Sequence, residues 1–180
     1  MAELVAGRID LPAYKQLLRN LHALYAALEE ALSADAVGLP LPTLRREAAL
    51  AADLAALHGP RWNDELPLHE ATKAYVQRLQ AQALAQPRLL VAHAYLRYLG
   101  DLHGGQLLRR QVARALGGEP ALAFYDFGSP EQVLALRAQV REALARLPLE
   151  DEAEAALIVD EARWGFVQHQ RLFEGLAEAG

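Results

Sequence analysis

The segment Ala94–Gln106, AYLRYLGDLHGGQ, carries three glycines inside an otherwise strong helical pattern. Each glycine costs about 1 kcal/mol relative to alanine in a helix interior. Gly100, Gly104 and Gly105 therefore make a local conflict, and such conflicts concentrate at functional sites. Glycine offers room for a kink and bare backbone that a ligand can touch. Gly100 and Gly104 are four apart and share a helix face; Asp101 lies beside that stripe, and Arg97, four residues earlier, can pair with it. Two plainer uses stay open at this point. Glycines also serve close helix–helix packing, and an Arg–Asp pair at this spacing is commonly a surface ion pair worth little.

Outward from this segment the chain reads as helices throughout. Pro87 opens the glycine-bearing helix, which runs with interruptions to Leu116 and ends at Gly117-Gly118. Upstream, Asp10 can cap a helix beginning at Leu11-Pro12. Tyr14, Leu17, Leu18, Leu21, Leu24, Tyr25, Leu28 and Leu32 recur there at three- and four-residue steps, which predicts an amphipathic helix to about Ala34. The run VGLPLP, Val37–Pro42, reads as a loop. Thr43 opens a second helix carrying Leu50, Leu54 and Leu57, stopped by Gly59-Pro60. A third begins near Pro67 with Ala71, Tyr75, Val76 and Leu79 on one side. Ser129-Pro130-Glu131-Gln132 is a capping box with proline at the first helical position, which starts a fifth helix reaching about Leu147-Pro148. The sixth spans about Glu150 to Glu178. The longest alternating segment is AFYDF, Ala123–Phe127. The expected fold class is all-α: one domain over residues 1–180, about six helices around a single core.

Bulk composition narrows the function classes. The 180 residues suit one core, and 53% of them are hydrophobic. With no cysteine, disulfides, thiolate metal sites and cysteine nucleophiles are excluded. A net charge of −5, with Lys15 and Lys73 as the two lysines, leaves no basic stripe for nucleic acid. The first residues, MAELVAGRID, lack the pattern of a signal peptide, and no stretch is long and apolar enough to span a bilayer. The expectation is a cytoplasmic protein, monomeric, with neither nucleic acid nor membrane as a partner.

LLVAHAYLRYLGDLHGGQ, Leu89–Gln106, resembles the distal-helix signature of heme oxygenases. LYAALEEAL (Leu24–Leu32), DLAALHGPRW (Asp53–Trp62), AYVQRL (Ala74–Leu79) and QRLFEGL (Gln170–Leu176) are similar to further family segments in the family's order, from about Gly7 to Leu176. The resemblance implies oxidative cleavage of heme to biliverdin, carbon monoxide and ferrous iron. Heme would be both substrate and cofactor, with molecular oxygen and electrons from an external reductase or ferredoxin. Asp101 matches the aspartate that orients a water near the iron. Gly100 and Gly104 match glycines that lie against the heme face, and Arg97, Tyr25 and Tyr75 match members of the distal hydrogen-bond network. Tyr95, Arg137 and Arg141 match groups that hold the propionates; a pair of arginines four apart suits two carboxylates. Phe166 and Phe173 match apolar pocket residues. On residue type alone, Tyr25 and Tyr75 also read as core aromatics, and Arg137 and Arg141 as a solvated face.

The sequence departs from the family at its start. The resemblance implies a proximal iron-ligating histidine on a helix ahead of Ala2, and the first histidine here is His22. The expectation is a pocket lacking its proximal wall, through a fragment, a substitute histidine, or conversion to a non-catalytic heme- or tetrapyrrole-binding protein. His22, one turn from Tyr25, and His169, one turn from Phe166 and Phe173, are the substitute candidates. His169 stands where the family usually carries an amide, within the distal network, and His103 where relatives often carry serine.

Overall fold

The computed structural model describes residues 9–32, 39–118 and 121–178, and the side chains within them apart from those of residues 106, 177 and 178. Six long helices carry the fold, in the order expected. Helix α1 is Leu11–Ala31; α2 is the single turn Leu41–Leu44; α3 is Glu47–His58; α4 is the single turn Trp62–Glu65; and α5 is Glu70–Ala85. A 3₁₀ turn, Pro87–Leu89, leads into α6, Leu90–Ala94. Helix α6 continues through a π-helical turn, Tyr95–Leu99, into α7, Gly100–Ala115. A second 3₁₀ turn, Ala123–Tyr125, precedes α8, Pro130–Ala145, and α9, Glu152–Glu178. All regular structure among the described residues is helical, and AFYDF supplies the second 3₁₀ turn rather than a strand.

Local rules account for the helix starts. Asp10 caps α1 by accepting from the Ala13 amide at 2.8 Å. Ser129 and Gln132 close a capping box at α8, with Ser129 N–H donating to Gln132 Oε1 at 2.7 Å. His69 caps α5, its Nδ1 accepting from the Ala71 amide at 3.2 Å. The buried seam of α1 is the predicted one, Tyr14 through Leu28, and Leu32 just past its end is also buried. The helix ends at Ala31, and Ala34 lies outside the described residues.

Elsewhere tertiary contacts override the pattern. The second predicted helix is interrupted at Arg45–Arg46. Glu29 of α1 accepts from the Arg46 amide at 2.6 Å and the Glu47 amide at 3.3 Å, acting as a cap supplied from another helix. The Arg46 guanidinium meanwhile takes the carbonyls of Thr43, Leu44 and Asp126. The Leu41-Pro42 part of the expected loop forms the extra turn α2, for which proline's fixed φ is preorganised. In α5 the buried seam is Thr72, Tyr75, Leu79 and Gln82, while Ala71 and Val76 are only partly buried.

One apolar core joins all the long helices. Helix α1 runs through it, against α3 and α5, and α9 crosses α5 and α6. Helix α9 makes a close crossing at Gly165. A Cβ there would stand 2.9 Å from both the Leu96 side chain and the Tyr75 hydroxyl, so glycine is required for this approach.

The irregularity in the glycine segment lies one turn before the glycines. Gly100 itself is regularly helical, at φ −57° and ψ −49°. The widened hydrogen-bond ladder is the π turn Tyr95–Leu99, the kind of bulge that marks functional sites. The glycines instead leave the helix surface bare: no atom lies within 4 Å of where a Cβ would stand at Gly100 or Gly104.

Candidate functional site

A cavity of ≈ 670 Å³ opens beside the π turn and the start of α7. Its volume lies in the usual range for small-ligand sites. Leu17 and Leu21 of α1, Tyr75 of α5, Phe124 and Tyr125 of the second 3₁₀ turn, and Phe166 and Phe173 of α9 make most of it apolar. Tyr95 and Phe166 stand about half exposed at its border, 51% and 53%, so two aromatic rings face outward where a flat ligand would enter.

The polar groups gather on one wall. Tyr25 donates its hydroxyl to Asp101 Oδ2. Arg97 Nη2 stands 3.8 Å from Asp101 Oδ1, and its guanidinium lies 5.5 Å over the Tyr25 ring. Arg97 Nη1 donates to His169 Nδ1 at 2.9 Å. Burial pushes the Asp101 carboxyl above the usual carboxylate range, and Arg97 and the Tyr25 hydroxyl pull it only part of the way back. Burial also raises Tyr25 well above an ordinary phenol, so it remains the donor to Asp101. His169 is pushed down to about 2, by burial first and by the Arg97 cation second. It is therefore a neutral acceptor that holds Arg97 in place. Arg97 Nε is buried with no hydrogen-bond partner.

Behind this wall lies a second buried network that sequence reading missed. Glu161, 3% exposed, receives two hydrogen bonds from Arg78 at 2.9 and 2.6 Å and one from Gln82 at 3.2 Å. His93, fully buried, donates Nε2–H to Glu161 at 3.0 Å, and its Nδ1 accepts from the Tyr75 hydroxyl at 2.9 Å. Burial holds His93 below the ordinary imidazole value and outweighs Glu161, so the contact is a neutral hydrogen bond rather than an ion pair. Tyr75 is pushed up to about 12, mainly by burial. The network thus fixes a protonated phenol at the cavity wall. No local signal marks these partners, because Glu161 is 83 residues from Arg78 and 68 from His93.

The structure brings together Asp101, Arg97, Tyr75, His169, Gly100, Tyr95, Arg141, Phe166 and Phe173 on the cavity lining. Tyr25 sits just behind, reaching Asp101. Gly104 and Arg137 fall outside the lining. So does His22, whose Nε2 is 3.1 Å from Glu47 and whose ring meets Trp62 edge-on at 4.6 Å. Phe124, Tyr125 and His103 line the cavity without having been singled out as pocket residues. The arrangement fits a flat apolar ligand: bare helix at Gly100, aromatic walls, and the Arg141 guanidinium for an anionic edge.

These electrostatics make a pH prediction. Burial holds His22, His93 and His169 all below the ordinary imidazole value. Below about pH 6.5 the unfolded chain binds protons at these rings and the folded chain does not, so their contribution to stability is full above that pH and falls as pH drops. Replacing His169 by glutamine preserves an acceptor for Arg97 and removes one titrating group. Between pH 7 and pH 5 the unfolding free energy of His169→Gln should fall with a slope shallower than the parent's by up to about one proton. Parallel slopes would count against a neutral His169.

Comparison with known proteins bears on this site. A family model described as heme oxygenase matches residues 1–175. The chain is 38% identical over 180 residues to heme oxygenase 1 of Bos taurus, covering 94% of this chain and 62% of that one. It is 36% identical over 177 residues to heme oxygenase 1 of Synechocystis, covering 94% and 73%. Among solved structures, Synechocystis heme oxygenase-1 in complex with heme superposes with a TM-score of 0.85 at 32% identity, covering 99% of this chain and 85% of that one. Synechocystis heme oxygenase-2 in complex with heme and NO gives 0.88 at 33%, covering 98% and 76%. Among the described residues no helix is long and apolar enough to cross a membrane.

Proposed function

The chain belongs to the heme oxygenase family, and from that premise we propose that it opens heme oxidatively to biliverdin, carbon monoxide and ferrous iron. The observation that carries this reading is the Asp101–Tyr25–Arg97–His169 cluster on an apolar cavity beside bare Gly100. Heme supplies the iron at which molecular oxygen is reduced and the ring that is cleaved, with electrons from an external reductase or ferredoxin.

The protein's part is placement and proton handling. Asp101 presents an acceptor whose direction is set by Tyr25, and with heme bound it would hold a water for proton delivery. Arg97, kept in place by neutral His169, holds its cation beside Asp101. Tyr75 is locked by His93 and shapes the cavity wall between Leu96 and Gly165. Arg141 and Tyr95 hold the propionate edge, with Arg137 one turn before Arg141 on α8. Phe166 and Phe173 cover the ring's apolar rim. We further propose that the chain acts as one domain, monomeric, in the cytoplasm.

The test is incubation of the purified chain with hemin, oxygen and an electron donor, followed by absorbance. Appearance of biliverdin supports the reading. A saturable hemin spectrum that persists under reductant and yields no biliverdin overturns catalysis and leaves a heme-binding protein.

A further inference from the structure

We propose that Glu161, acting through His93, makes the Tyr75 hydroxyl a hydrogen-bond acceptor toward the cavity and is thereby a positioning residue for heme cleavage; the inference rests on the activity proposed above. The proton positions along this line follow from which groups can only accept. Glu161 receives Arg78 Nε–H at 2.9 Å, Arg78 Nη2–H at 2.6 Å and Gln82 Nε2–H at 3.2 Å. Burial pushes its carboxyl up, but the Arg78 bonds and the neighbouring His93 outweigh burial and hold it below the usual carboxylate range. An ionised carboxylate only accepts, so His93 Nε2, 3.0 Å away, carries a hydrogen. His93 is fully buried, with the Arg78 cation also opposing a charge on it, so the ring is neutral and Nδ1 keeps a lone pair. The Tyr75 hydroxyl, 2.9 Å from that Nδ1, gives its one hydrogen to it.

The Tyr75 oxygen is left with lone pairs only. It lies against Gly165, and both residues are on the cavity lining. A Cβ at Gly165 would stand 2.9 Å from this oxygen and 3.3 Å from His93 Nδ1, so the glycine keeps the hydroxyl–imidazole bond clear. A water entering the cavity there gives one hydrogen to Tyr75 and keeps the other, which sets the direction of a hydrogen-bonded chain along this wall. Asp101, on the same lining, is likewise an acceptor. The Arg78–Glu161 pair alone would tie α5 to α9. His93, on α6, extends that charge to a hydroxyl which the tie does not need.

Two measurements test it. NMR of the imidazole nitrogens in histidine-labelled chain, alone and with diamagnetic zinc protoporphyrin added, reads the His93 tautomer; His93 is assigned by the signals lost in His93→Gln. The parent should carry its hydrogen on Nε2. In Glu161→Gln the amide oxygen stays with the donors Arg78 Nη2 and Gln82 and the amide N–H faces His93, so the hydrogen should move to Nδ1. Biliverdin formation from hemin is then compared for the parent, Glu161→Gln, Tyr75→Phe and the double variant, each below its melting temperature. Each single variant should lower turnover by roughly tenfold with hemin affinity within about threefold, and the double variant should be no slower than Tyr75→Phe. Additive losses overturn the proposal, because Glu161 then acts without Tyr75. A parent His93 with its hydrogen on Nδ1, or an unchanged tautomer in Glu161→Gln, also overturns it and leaves heme cleavage standing. If Glu161→Gln does not fold, the parent tautomer and Tyr75→Phe decide, and turnover by Tyr75→Phe equal to the parent's overturns it. Absence of biliverdin from the parent overturns both readings.

Discussion

Replacing Asp101 by alanine should reduce biliverdin formation by about two orders of magnitude or more, the usual size for losing a positioned proton-handling group. Hemin affinity should change by less than about threefold, because Asp101 faces Tyr25 and Arg97 rather than the apolar walls that hold a flat ligand. The split between turnover and binding is the diagnostic outcome. Removing the carboxylate takes away the acceptor of the Tyr25 hydroxyl and the counter-ion of Arg97, which then has His169 as its remaining partner. Asp101→Asn keeps an oxygen for Tyr25 but no charge for Arg97, so it should fall between alanine and the parent. Biliverdin yield, measured by absorbance and chromatography at saturating hemin, decides the matter. Yield from Asp101→Ala within about threefold of the parent would remove Asp101 from the mechanism.

The distance over which each feature is determined explains what was legible beforehand. Helix α1 was readable because its apolar seam and the Asp10 cap are set within a few residues. The Ser129 capping box was readable for the same reason. The break at Arg45–Arg46 was not, since its cause is Glu29, 17 residues away on another helix. The glycines pointed to a segment that lines the cavity, yet the irregularity they suggested belongs to the preceding π turn, and their actual effect is an exposed helix surface. The resemblance to the family placed Asp101, Arg97, Tyr25 and Tyr75 at the site. Composition and periodicity alone left those tyrosines as core aromatics; both are buried, with Tyr75 on the cavity lining and Tyr25 bonded to Asp101. The Glu161 network had no sequence signature, because its donors are spread over α5 and α6. His103 was visible only as a departure from a usual serine. Its Nδ1 contact with the Leu99 carbonyl exists only once the helix is built.

The second large effect is expected just outside the cavity lining, at Asp53 of α3. Its side chain is 2% exposed and accepts from the Ala123 amide at 3.0 Å and the Phe124 amide at 2.8 Å. Those two bonds hold the 3₁₀ turn that supplies Phe124 and Tyr125 to the cavity. Phe124 in turn meets the Tyr25 ring edge-on at 5.9 Å, and Tyr25 aims at Asp101. Asp53→Ala leaves the buried Phe124 amide without an acceptor and opens a small void. The cost should be about 3 kcal/mol, from two lost charge-assisted bonds at about 1.5–3 kcal/mol each, partly recovered by water at the more exposed Ala123. In a chain of this length that corresponds to a melting temperature lower by roughly 6–12 °C. Asp53→Asn keeps one acceptor and turns a donor toward the other amide, so it should recover less than half of that loss. Thermal unfolding checks the stability term, and a shift smaller than 2 °C in Asp53→Ala would refute it. Below its own melting point, Asp53→Ala should bind hemin more weakly than the parent, because Phe124 and Tyr125 lose their anchor while the helices that carry Asp101 and Arg97 remain. Unchanged hemin affinity in a destabilised Asp53→Ala would show that the turn keeps its place through the Tyr25–Phe124 contact alone, and would confine Asp53 to stability.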